Sequence, residues 1–232
     1  MSDSTWLIKD DKVNPYTFYT EVFAFYLIWA VMYNKVHKLE EKYNLFKRLS
    51  SEKHVEARTR VLGTIHAIIL TSAASCYYFN YIDYNDWLRF VPISSAFGLF
   101  DITILTLNYK LCKKHYFAIS IHHLIIVNGP LLITQENSRH ILHAYMFETT
   151  VPFIDIGWYL YNAKLTNTIF FKINTLFAVL MFFFFRVIGN SYIVYKVYKG
   201  DIVITILTLQ FLFLNVYWFK SLMDTVLKIK ST

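Results

Sequence analysis

Seven apolar runs divide the chain, at roughly 16–34, 61–82, 88–108, 116–134, 141–162, 169–193 and 202–220, with most of the charge in short clusters between them. Such runs have the length needed to cross about 30 Å of hydrocarbon at about 1.5 Å per residue. Within hydrocarbon the backbone must satisfy its own hydrogen bonds, and a helix does so internally. The expected fold is therefore all-α: a polytopic transmembrane helix bundle of about seven spans, six of them surrounding a central cavity. Charged residues make up 17% of the chain, against about a quarter in a soluble domain.

The opening stretch "MSDSTWLIKDDKVNPYTFY" lacks a signal-peptide pattern, so the first span is expected to act as its own uncleaved signal. The chain is read as a lumenal segment 1–15, a first span with a cytosolic amphipathic segment over 16–60, a main membrane domain over 61–222, and a cytosolic tail 223–232. Segment 35–60 holds eight Lys or Arg residues with interspersed Leu, Phe and Tyr, which suits an interfacial amphipathic helix. The net charge of +7 sits beside spans. Phospholipid headgroups, rather than nucleic acid, are its expected partners. Cys76 and Cys112 have neither the spacing nor the context for a disulfide or a zinc site.

Basic residues favour cytosolic loops. With the N-terminus lumenal and the C-terminus cytosolic, fifteen of the 23 Lys and Arg residues fall on the cytosolic side and six on the lumenal side. In that orientation Lys228 and Lys230 resemble a dilysine signal that retrieves membrane proteins to the endoplasmic reticulum.

Ionisable groups inside spans are costly and normally face a cavity or one another. Counted from span ends at helical rise, His66, Asp101, His122, His123 and Asp155 come from four spans yet share a depth of roughly 9–12 Å below the cytosolic border. Glu148 lies two turns deeper than Asp155, on nearly the same face. Together they predict one polar chamber opening toward the cytosol and narrowing into an acyl-sized apolar tunnel. His122 and His123 are adjacent, about 100° apart around a helix, so one points at the centre while the other braces it or bonds a neighbour. Asp101 is placed to fix an imidazole tautomer. Arg186, near the middle of the sixth span, either neutralises Glu148 or attracts an anionic headgroup. Phe182 to Phe185 read as lipid-facing or tunnel wall, and Trp158, Tyr159, Tyr217 and Trp218 as interfacial belt residues.

The stretch "FGLFDITILTLNYKLCKKHYFAISIHHLIIVNGPLL", followed by "AYMFETTVPFIDIGWYL", resembles the TLC (TRAM–LAG–CLN) domain over about 55–222. The resemblance rests on Asp101, the pair His122 and His123 about twenty residues later, and Glu148 with Pro152 four residues on. It implies a multi-pass, endoplasmic-reticulum protein that makes or handles lipids. The family's ceramide synthases transfer an acyl chain from acyl-CoA to a sphingoid amine, and there the histidine pair precedes an Asp-x-x-Asp motif. Here the first acid is Glu148 and the second position is Val151. The chain is thus more similar to the small, non-synthase members.

Acyl transfer needs a base for the accepting amine or hydroxyl, or a nucleophile that takes the acyl group first, and an imidazole oriented by a carboxylate serves either role. The expected catalytic set is His122, His123, Asp101 and Glu148, with His66, Asp155 and Arg186 binding substrate. No metal and no tightly bound cofactor are expected. Acyl-CoA would be the co-substrate, its phosphates held by basic residues of 35–60 and 110–114. A non-enzymatic lipid-binding, lipid-sensing or cargo-escort protein is the alternative from the same pocket. A di-iron oxygenase is a third, although the eight histidines form no His-x-x-His-His cluster. The oligomeric state is open, with a homodimer among the options.

Overall fold

The first helix starts where Asn14 and Pro15 demand it. The Asn14 side-chain oxygen accepts the Tyr16 amide at 3.1 Å, and Pro15 occupies the first turn, where a missing N–H costs nothing. From there α1 runs unbroken over Pro15–Tyr43 and stops at Asn44, whose φ of 50° is left-handed. The structure, a computed structural model, describes residues 8–9, 12–50, 53–132, 138–200 and 202–230. Within these follow α2 (His54–Tyr78), α3 (Tyr84–Leu88), α4 (Val91–Leu107), α5 (Tyr109–Asn128), α6 (Ser138–Met146), α7 (Val151–Asn162), α8 (Ile169–Met181), α9 (Asn190–Val197) and α10 (Ile202–Lys230). A minimal antiparallel ribbon, β1 (Ile8–Lys9) with β2 (Lys12–Val13), precedes them.

These elements assemble into seven rods, as the apolar runs predict. α3 and α4 make the third rod. α6 and α7 make the fifth, joined by a 3₁₀ turn over Phe147–Thr150. α8 and α9 make the sixth, joined by a π-helical segment over Phe182–Gly189. Each proline marks an irregularity: Pro15, Pro92 and Pro152 open helices, and Pro130 lies in the 3₁₀ turn Gly129–Leu132 that ends α5. The expected interfacial helix does not form as a separate element over 35–60. α1 continues through it to Tyr43, and α2 already begins at His54.

Among the described residues, four helical stretches are long and apolar enough to cross a membrane: His54–Tyr78, Tyr84–Leu107, Ile169–Val197 and Ile202–Lys228. Tyr116–Leu132 is a shorter apolar helix. Their outer faces are apolar too. Ile169, Phe184, Ile188, Ile202, Phe213 and Leu227 are all exposed, which suits lipid rather than water around the bundle. The protein is a multi-pass helical membrane protein.

Inside, the main core joins α1, α2 and α4 through Phe18, Trp29, Leu62, Phe97 and Phe100, with Trp87 of α3 at one end. Small residues let α4 approach α5. A Cβ on Gly98 would lie 3.4 Å from both the His123 carbonyl oxygen and Val127 Cγ2, and Ser95 Oγ donates to the Ile126 carbonyl at 3.0 Å. Close backbone approach of this kind is what small residues contribute to membrane helix pairs. Replacing Gly98 by Leu should force the two helices apart at a cost of about 1–3 kcal/mol. A thermal-unfolding scan of purified protein should show a clear drop in midpoint, and Gly98→Ala a smaller one.

Candidate functional site

α2 serves as a ruler for the polar groups inside the bundle. Nearest its start, Asp155 of α7 accepts from Arg60 Nη1 at 2.7 Å and from Thr64 Oγ1 at 2.9 Å. Arg60 also bonds Glu56 at 3.0 Å and lies 4.7 Å over the Trp158 ring, which Lys53 approaches from 5.8 Å. Beside this group, Glu40 of α1 pairs with Arg58 at 3.4 Å and with His54. Acids and bases from α1, α2 and α7 thus close one end of the bundle with mutual charge neutralisation.

One turn further along, His66 is buried and its Nε2 lies 3.3 Å from Ser94 Oγ. Its ring stacks on Phe97 at 4.3 Å and meets the edge of Trp29 at 6.1 Å. On the other side of Phe97 stands His123, with ring centroids 6.1 Å apart. His123 Nδ1 lies 3.2 Å from Asp101 Oδ2, close but oblique to the straight hydrogen-bond line. Asp101 is also within electrostatic reach of Arg60 and Asp155. This second layer therefore connects the closed end to the histidine pair.

The third layer is a cavity of about 130 Å³, lined by residues of six rods, all but α1. His122 lines it while His123 does not, as a 100° step around α5 requires. The edges of Phe211 and Trp218, both on α10, flank the His122 ring at 5.1 Å each. Its Nδ1 is buried and finds no hydrogen-bond partner among the described residues. Glu148 and Arg186 line the same cavity, 3.6 Å apart.

The geometry of that pair follows from the broken fifth rod. In a regular helix the Val151 amide would bond the Phe147 carbonyl; in the 3₁₀ turn it bonds the Glu148 carbonyl instead. The Phe147 oxygen also accepts from Arg186 Nε at 3.2 Å and from Thr150 Oγ1 at 2.9 Å, and Arg186 Nε also donates to Thr150 Oγ1 at 2.8 Å. Gly189 permits the approach of the two rods, since a Cβ there would meet Phe147 Cε1 at 3.3 Å.

Of the seven residues picked from the sequence, His122, Glu148 and Arg186 line the cavity. His123 and Asp101 form the layer behind it, His66 packs in the aromatic core, and Asp155 belongs to the closed end with Arg60. Trp218, expected in an interfacial belt, packs against the His122 ring. Sequence reasoning missed Asn190, which lines the cavity at 1% exposure, and Ser94, Tyr145 and Thr208 beside it. The π-helical segment over Phe182–Gly189 removes the regular helical phase by which Asn190 could be placed beside Arg186 from sequence. Among the described residues no group of three His, Cys, Asp or Glu could hold a metal ion. The Lys113 and Lys114 side chains, the Lys230 side chain and residues 231–232 lie outside the described residues.

Removing one partner from the closed end strands its mate. Asp155→Leu should cost about 1–3 kcal/mol through the unpaired Arg60. The double variant Arg60→Met with Asp155→Leu should regain most of that loss, as read from thermal midpoints.

No protein-family model matches the chain. It is 29% identical over 205 residues to a curated protein, TLC domain-containing protein 4 A of Dictyostelium discoideum, with 81% of this chain and 76% of that protein covered. A similarity of that extent, in a helical membrane bundle carrying a buried histidine pair with an aspartate behind it, supports a relationship to the TLC domain proteins.

Proposed function

We propose that the protein is a lipid acyltransferase of the endoplasmic-reticulum membrane, using acyl-CoA and a lipid amine or hydroxyl, with its N-terminus lumenal and its C-terminus cytosolic. The observation that carries this reading is the division of labour in the histidine pair. His122 presents an unpartnered Nδ1 in the wall of a largely apolar cavity, while His123 turns back against Asp101 at 3.2 Å. That arrangement supports a base with a braced neighbour.

In the step proposed, His122 takes the proton from the acceptor N–H or O–H as the acceptor atom bonds to the acyl carbon. The C–S bond of the thioester breaks, and the departing CoA thiolate regains a proton from the imidazolium. Asp101 acts through His123 as a positioning group. Lys53, Arg58 and Arg60 are engaged in ion pairs, and the exposed Lys47 and Arg48 lie at that same closed end, so the basic residues of 35–60 are not assigned to the CoA phosphates.

One observation favours a second reading, in which the cavity holds a lipid without chemistry: its charged side chains, Glu148 and Arg186, are paired with each other. The two readings separate with purified protein, labelled acyl-CoA and a panel of lipid acceptors. Under the first, His122→Ala lowers transfer by about 10²–10⁴-fold, and His123→Ala and Asp101→Asn lower it less. Full transfer by His122→Ala removes the catalytic role. No transfer by the native chain, together with a stoichiometric co-purifying lipid, selects the second reading.

A further inference from the structure

Asn190 opens α9 directly after the π-helical segment that carries Arg186, and both residues line the cavity. Asn190 is 1% exposed, and its Nδ2 meets no acceptor among the described residues. Buried donors are almost always satisfied, so an amide N–H held in a cavity wall marks a place for an acceptor carried by a ligand. Arg186 is differently placed. Its Nε is committed to the Phe147 carbonyl and the Thr150 hydroxyl, and its Nη2 faces Glu148 at 3.6 Å.

The charge of the cavity decides which acceptor fits. Glu148 and Arg186 balance one another, and the other polar groups in the wall, His122, Ser94, Tyr145 and Thr208, add no fixed anion or cation pair. A carboxylate entering here would be a charge without a counter-ion in a low-dielectric space, facing Glu148 as well. A carbonyl oxygen of an ester or thioester offers the same acceptor with no charge. We infer that Asn190 binds the carbonyl oxygen of an uncharged acyl ester or thioester, and that the Glu148–Arg186 pair keeps free carboxylate out of the same place. This rests on the reading that the cavity receives a lipid acyl group, and it concerns binding rather than turnover.

The test uses the full chain in lipid nanodiscs with a bound pyrene-labelled fatty acid methyl ester, displaced at alkaline pH by methyl palmitate or by palmitate. Methyl palmitate is expected to displace the probe from the native chain at concentrations about tenfold or more below those palmitate needs. Asn190→Ala should weaken the ester about tenfold, the scale of one lost hydrogen bond, and leave palmitate unchanged. Glu148→Gln leaves the Arg186 charge unopposed and should raise palmitate affinity until the order reverses. Equal or tighter binding of palmitate by the native chain overturns the inference, whatever the variants do. So does wild-type ester affinity in a folded Asn190→Ala protein. A native chain that binds neither probe removes this inference and the lipid-cavity reading together. Loss of the His122 transfer effect alone touches only the catalytic claim.

Discussion

A helix in hydrocarbon has no water to fall back on, so wherever its ladder of hydrogen bonds is interrupted another group must complete it. In this bundle the interruption lies between α6 and α7, where a 3₁₀ turn replaces i→i−4 bonds by i→i−3 bonds and the Val151 amide moves from the Phe147 to the Glu148 carbonyl. Arg186 adds a bond to the Phe147 carbonyl from the neighbouring rod, itself widened into a π-helical segment over Phe182–Gly189. Two irregularities thus meet there. Their junction brings a carboxylate, a guanidinium and an amide into the wall of one cavity.

The remaining ionisable groups are arranged around that junction in order along α2. Charges at the 54–64 end neutralise one another across three helices, and the aromatic layer of Trp29, Phe97 and His66 separates them from the cavity. His123 and Asp101 stand between these levels, so the second imidazole belongs to the scaffold while the first belongs to the cavity. The close α4–α5 contact at Gly98 fixes this split, because it sets the height and rotation of α5 beside the His123 backbone.

Much of this was legible in the amino-acid order because it follows from periods and lengths. Apolar runs separated by charge gave seven rods, and neighbouring histidines on a helix had to diverge. Shared depth points Asp101 at one of the imidazoles without saying which, and leaves Arg186 between Glu148 and an anionic headgroup. What escaped notice depended on departures from regular geometry. No period announces a π-helical segment, and without it the phase of Asn190 relative to Arg186 is undetermined. Asp155 was placed with the chamber because counting from the span end cannot see Arg60 reaching it from another helix. Position near a span end places Trp218 at the headgroup level, but it cannot show that the ring packs on His122. The charged stretch after residue 35 was read as a separate surface helix. The first rod instead simply extends, its acids finding bases on α2.

α10 has one further consequence. On one face Phe211 and Trp218 hold the His122 ring, while on the other Phe213, Val216 and Tyr217 lie open to the surroundings. A single helix, about 10 Å across, is therefore all that stands between the imidazole and the neighbouring acyl chains of the bilayer. Thickness and fluidity of the surrounding lipid bear directly on that partition, so the host membrane is in effect part of the pocket's outer wall.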